Sequence, residues 1–121
     1  MKRVSKKTNP RLTNLIDSLK KAARENQANI WSDIASKLEA PSRNRAEVNL
    51  SKISRYAIDG ETILVPGKVL GSGLIDQPVR VAAFNFSRSA TMKIREAKGT
   101  CMSIEELLRA NPEGSRIRIL R

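Results

Sequence analysis

The spacing of apolar residues changes period after Asp59 and Gly60, and that change limits the folds open to this chain. Before the turn, Leu12, Leu15, Ile16, Leu19, Ala22 and Ala23 recur as one face of a helix, with Asn9 as N-cap and Pro10 at the first position, where a missing N–H costs nothing. Trp31, Ile34, Ala35 and Leu38 predict a second helix over about 30–38, ended by Ala40 and Pro41. Trp31 is in phase with that stripe, so it is read as core and not as a base-stacking ring. Asn49 is placed to cap a third helix with Leu50, Ile53 and Ala57 inward. After the turn the period shortens. TILV, KVLG and VRVAAFNF are β-rich runs bounded by Gly and Pro, with a turn expected at Pro66 and Gly67. Ser87 then caps a helix to about Lys98, with Ala90, Ile94 and Ala97 inward and Gly99 as its stop. Ser103 to Glu106 spell a capping box for a last short helix that Asn111 and Pro112 end, and RIRIL alternates as a final strand. Helices first, then strands alternating with helices, predicts an α/β fold in one compact domain, residues 9–121, behind a basic N-terminal arm, residues 1–8.

The core of that domain must be aliphatic, because 121 residues contain one Trp, one Tyr and two Phe. The surface is strongly cationic: 23 Lys and Arg against 12 Asp and Glu leave a net charge of +11, which implies a polyanionic partner, nucleic acid or anionic membrane. A membrane is disfavoured, since no apolar run is long enough to span one and the first helix lacks an aromatic anchor. No secretory leader is legible either, so a cytoplasmic protein is expected. With no His and a single Cys101, no zinc-ligand set and no internal disulfide can form, and the usual acid–base catalyst is missing. Asp33, Glu47 and Glu61 have no visible catalytic partner, and Ser87 and Ser89 have no base. No cofactor, no small-molecule substrate and no catalysis are expected.

VPGKVLGSGLID resembles a nucleotide loop only superficially. Gly67 and Lys68 lack the glycine five positions earlier that a Walker loop requires, and Gly71 and Gly73 lead into turn chemistry instead of a helix. The charge is concentrated elsewhere. Lys2, Arg3, Lys6, Lys7, Arg11, Lys20, Lys21 and Arg24 face Asp17 alone in the first 24 residues. Residues 1–8 have no apolar periodicity, and an acidic partner is expected to order them. Arg43, Asn44 and Arg45 lie in a proline-started loop, where forked guanidinium donors suit phosphate but would equally suit a solvated connection. Lys52 and Arg55 fall on the outer face of the third helix, Arg88 and Lys93 on that of the fourth. Phe84 and Phe86 alternate on a strand, and burial is preferred to stacking.

The runs KTNPRLTNLIDSLKKAA, KLEAPSRNRAEVNLSKISRYA, ILVPGKVLGSG, VRVAAFNFSRSATMKI and SIEELLRANPEGSRIRIL together resemble the archaeal and eukaryotic large-subunit ribosomal protein eighteen family, a relative of bacterial large-subunit protein fifteen. The likeness covers nearly the whole chain, SRNRAEVNLSKISR is its most specific part, and the short length is of the archaeal type. It implies a mixed α/β fold described as an irregular superhelix of ββα-type turns, without catalysis, embedded in large-subunit ribosomal RNA beside neighbouring ribosomal proteins. Arg43, Asn44 and Arg45 match the family's basic loop, and Asn49, Lys52 and Arg55 its motif helix. Gly67, Lys68, Gly71 and Gly73 match its glycine-bearing strand connection, with Lys68 placed to meet RNA phosphate. The rival expectation is a free architectural nucleic-acid binder, which would share the charge and the arm.

Overall fold

The computed structural model describes residues 9–41 and 45–121. Two helices come first, α1 (Pro10–Asn26) and α2 (Asn29–Glu39), and Asn9 caps α1 through bonds from the Arg11 and Leu12 amides. Strand β1 (Ala46–Asn49) leads directly into α3 (Leu50–Tyr56). The remaining elements alternate: β2 (Thr62–Leu70), β3 (Arg80–Phe86), α4 (Arg88–Glu96), β4 (Thr100–Ser103), α5 (Ile104–Ala110) and β5 (Ile117–Ile119). The α/β organisation is therefore as the sequence indicates.

All five strands are parallel, and β2 is their hub. The order β1-β2-β3-β4 forms the main path, and β5 also pairs with β2. Because β3 occupies one edge of β2 along most of its length, β1 and β5 share the other. β5 aligns Ile117 to Ile119 with Thr62 to Leu64, and β1 aligns Ala46 to Asn49 with Gly67 to Leu70. The expected turn at Pro66 and Gly67 is instead a bulge within one nine-residue strand. Between the pairs Val65–Ala83 and Lys68–Asn85, two residues of β2 oppose only Phe84. Pro66 falls at the gap between the two edge partners, where a missing N–H costs least. A Cβ on Gly67 would stand 2.0 Å from the Ala46 carbonyl, so β1 can close on β2 only against a glycine.

Alternation along the strands feeds two cores, one on each face of the sheet. Leu64, Ala82 and Phe84 pack with α1, α2 and α5 through Leu15, Leu19, Trp31, Ile34, Leu38, Ile104 and Leu107. Trp31 is fully buried and its Nε1–H donates to the Pro112 carbonyl at 2.7 Å, which fixes it as core. Ile63, Val65, Val69, Val81 and Ala83 pack with α3 and α4 on the other face, through Leu50, Ile53, Ala90 and Ile94. The bulge separates the two phenylalanines: Phe84 joins the first core and Phe86 packs against the second.

The glycine-rich stretch is the return from β2 to β3. Parallel strands need a crossover, commonly a helix. The register sets Arg80 beside Thr62, so the chain steps from Leu70 to Arg80 must cover the length of β2, roughly 26–27 Å. At about 3.3–3.6 Å per residue that distance leaves room for no helix, so this segment is extended with only a little slack. It lies in the groove between α3 and α4, where the Ser51 amide donates to the Ser72 carbonyl at 3.1 Å and Ile75 and Val79 reach the second core. Gly73 has φ +105, and a Cβ there would come within 2.5 Å of the Ser51 nitrogen. Gly73→Ala is expected to destabilise the protein by about 2–4 kcal/mol, combining backbone strain with collision. Thermal unfolding followed by circular dichroism checks this; an unchanged midpoint would mean that the crossover is not held against α3.

Candidate nucleic-acid interface

α1, α2 and α5 cover the first face of the sheet incompletely. Beyond Phe84 a row of registered neighbours, Glu47, Lys68 and Asn85, is exposed side by side across β1, β2 and β3. Asn85 accepts a long hydrogen bond from Arg11 Nη1 at 3.5 Å, which places the row on the α1 side. Under it is a hollow of about 110 Å³ lined by Arg45, Ala46, Glu47, Gly67, Lys68, Phe84 and Asn85. The Arg45 Nε is buried and, among the described residues, has no hydrogen-bond partner. An orphaned guanidinium N–H is costly, and an oxyanion is its natural acceptor. Two cations, one amide and a single carboxylate thus surround a space large enough for one phosphate group. The chain enters β1 through Arg45 and α1 through Asn9, close to the same face.

Arg11 marks the boundary of that face. Its Nε and Nη2 grip Glu105 at 2.8 and 3.0 Å, and its guanidinium lies 4.1 Å from the centroid of the Phe84 ring. The bidentate bond from Arg11 holds the Glu105 carboxyl below its ordinary range against the opposing effect of burial, and it raises Arg11 in turn. Arg11, expected from its position to meet RNA, is committed first to tying α1 to α5 and β3.

The chain matches the family described as "Ribosomal protein 60S L18 and 50S L18e" over residues 1–121. The chain belongs to that family. It is 69% identical to the large ribosomal subunit protein eL18 of Methanoregula boonei, each chain being covered completely. It is 53% identical to that of Archaeoglobus fulgidus and 50% identical to that of Halobacterium salinarum, over 95% of this chain and 98% of each relative. L18e proteins are structural parts of the large ribosomal subunit and not enzymes, and the protein's place is in the ribosome, in the cytoplasm.

The other predicted residues of this L18e chain that the structure describes do not form one patch. Lys2, Arg3, Lys6, Lys7, Arg43 and Asn44 lie outside the described residues. Asn49 ends β1, whereas Lys52, Arg55, Arg88 and Lys93 belong to α3 and α4, the helices that cover the opposite face. Asn49 holds the N-cap position of α3 without making a side-chain cap bond. Lys52 Nζ donates to the carbonyl of Arg121, while Arg55 and Arg88 are exposed. Lys93, read from the sequence as outward, is half-buried: its Nζ donates to the carbonyls of Gly71 at 2.8 Å and Gly73 at 3.2 Å, clamping the crossover. Asn85 and Glu105 were not singled out from the sequence. Asn85 carries one faint signal, a polar residue between two phenylalanines on an otherwise apolar strand, whereas the Arg11–Glu105 pairing spans most of the chain and leaves none.

Glu105→Gln is expected to lower stability by about 1 kcal/mol at neutral pH, the scale of a partly exposed pair, and the melting midpoint by roughly 2–5 °C. The carboxyl of Glu105 is depressed in the folded state, so the pair's contribution is complete above the unfolded carboxyl's pKa and is lost as pH falls through the folded value. The gap between native and variant midpoints should therefore close in acid. A gap constant with pH would assign the effect to packing.

Proposed function

We propose that this protein stabilises the large ribosomal subunit by holding ribosomal RNA phosphates on the open first face of its sheet. The buried, unpartnered Arg45 Nε carries the reading. Folding leaves one strong donor unsatisfied beside Lys68 and the Asn85 amide, in a protein of net charge +11. Phosphate oxygen satisfies that donor, replaces condensed counterions and needs no base sequence. Ribosomal RNA suits a binder of this kind, because the deep groove of A-form helices denies side chains a base code and leaves backbone and shape to be recognised.

In this reading Lys2, Arg3, Lys6, Lys7, Arg43 and Asn44 add further RNA-binding groups in the sequence just before α1 and β1. Arg11 positions α1 more than it binds. Arg55 and Arg88, exposed on the second face, meet separate RNA segments, so the domain is wedged between strands of RNA and not laid on one. Neighbouring ribosomal proteins complete its surroundings; membranes and small-molecule substrates have no part.

The double substitution Arg45→Ala with Lys68→Ala tests the proposal through binding to large-subunit RNA at several salt concentrations. Affinity should fall, and the slope of log K against log salt should flatten by about 1.5–2, the loss of two phosphate contacts. The melting midpoint should hold or rise, since an unpaired donor is removed from the interior. A lower midpoint with unchanged RNA affinity would make Arg45 a packing residue and overturn the reading.

A further inference from the structure

A second hollow opens at the carboxyl ends of β3 and β4. The chain leaves β3 into α4 on the second face and leaves β4 into α5 on the first, so the helices diverge to opposite sides of the sheet at this point. In open parallel sheets such a divergence leaves a crevice outside the strand ends, where ligands lodge. The crevice here has a volume of about 330 Å³, within the roughly 300–1,000 Å³ of small-molecule clefts. Phe86 forms part of its wall and is partly exposed, Arg95 stands exposed at its rim, and Cys101 is half-buried within it. Its one carboxylate, Glu106, already accepts the Ser103 amide at 2.8 Å. Phe84 and Asn85 line both this crevice and the Arg45 hollow, so the two spaces adjoin.

We infer that the crevice receives an unpaired base of the large-subunit RNA, splayed out beside a phosphate held in the adjoining hollow. The inference rests on the phosphate reading above and extends it from backbone to base. A partly exposed aromatic ring offers a stacking surface that any base can use, the Asn85 amide supplies both a donor and an acceptor, and Arg95 gives the rim a charge complementary to RNA. The arrangement joins a positioning contact to a stacking one, the division of labour by which proteins hold single-stranded nucleotides.

Cys101, the single cysteine of the chain, reports on occupancy. Its alkylation by N-ethylmaleimide is to be timed in the free protein, in the protein bound to large-subunit RNA freed of other proteins, and in intact large subunits. Both bound states should label roughly tenfold more slowly than the free protein, because a filled crevice excludes the reagent. Phe86→Leu, which keeps the apolar packing but removes the ring, should weaken RNA binding roughly five- to tenfold, as loss of one stacked base does, with the salt slope unchanged. RNA binding with Cys101 labelled as fast as in the free protein would overturn the inference and leave the phosphate reading standing. Protection in subunits but not by RNA alone would overturn it in favour of a protein occupant. Failure to bind RNA at all would overturn both.

Discussion

The hydrogen-bonding capacity of β2 is the constraint on which the rest of this structure depends. One strand serves three parallel neighbours, and two of them must divide a single edge. That division requires a strand longer than either partner, and it places a discontinuity where one partner stops and the other starts. Pro66 and Gly67, the two residues of the bulge, occupy that place. A proline inside a strand and a glycine under a carbonyl are defects in an ordinary ladder; here they meet the demand of two partners on one edge. The bulge also turns Phe86 to the face opposite Phe84, and so creates the adjoining hollows on either side of Asn85.

Charge in this protein separates into two kinds that composition cannot tell apart. Arg11, Lys52, Lys93 and Arg118 are bonded within the fold, to Glu105, to the Arg121 and crossover carbonyls, and to Glu61. Arg45, Lys68, Arg55 and Arg88 have no such internal bond among the described residues. The internal cations aim elements of the fold; the others are left for the solvent or for the RNA of the ribosome. A surplus of positive charge in this L18e chain is therefore partly structural mortar.

Local chemistry made the helices legible. The caps at Asn9, Ser87 and Ser103 and the reciprocal bond from Glu106 are interactions between near neighbours, and they occur where the residues imply them. The strands were legible only where a long apolar run announced them. AEVN and TCMS are too short and too polar to do so, and they become strands because β2 and β3 offer them edges. Asn49 failed as a side-chain cap because its residue also ends β1, and Lys93 failed as an outward residue because the crossover covers it. Arg45 and Lys68 were legible as candidates, but their convergence with Asn85 was not, since parallel pairing joins residues from separate parts of the chain.

The extended crossover between α3 and α4 has a consequence for how this sheet keeps its alignment. Most surface connections can gain or lose a residue at little cost, because closure entropy changes slowly with length. Residues 71–79 are bonded in place instead, with the Ser72 carbonyl on the Ser51 amide and the Gly71 and Gly73 carbonyls on Lys93, and those bonds help to set where β3 begins against β2. A slip of β3 by one step along its partner would exchange the faces of every side chain on the strand. Val81 and Ala83 would turn toward α1 and α2, and Ala82 and Phe84 toward α3 and α4, each into a core shaped for the other. The stretch works as a clasp: fastened to α3 and α4 at its start and packed into the second core at Ile75 and Val79, it keeps each side of the sheet facing its own core.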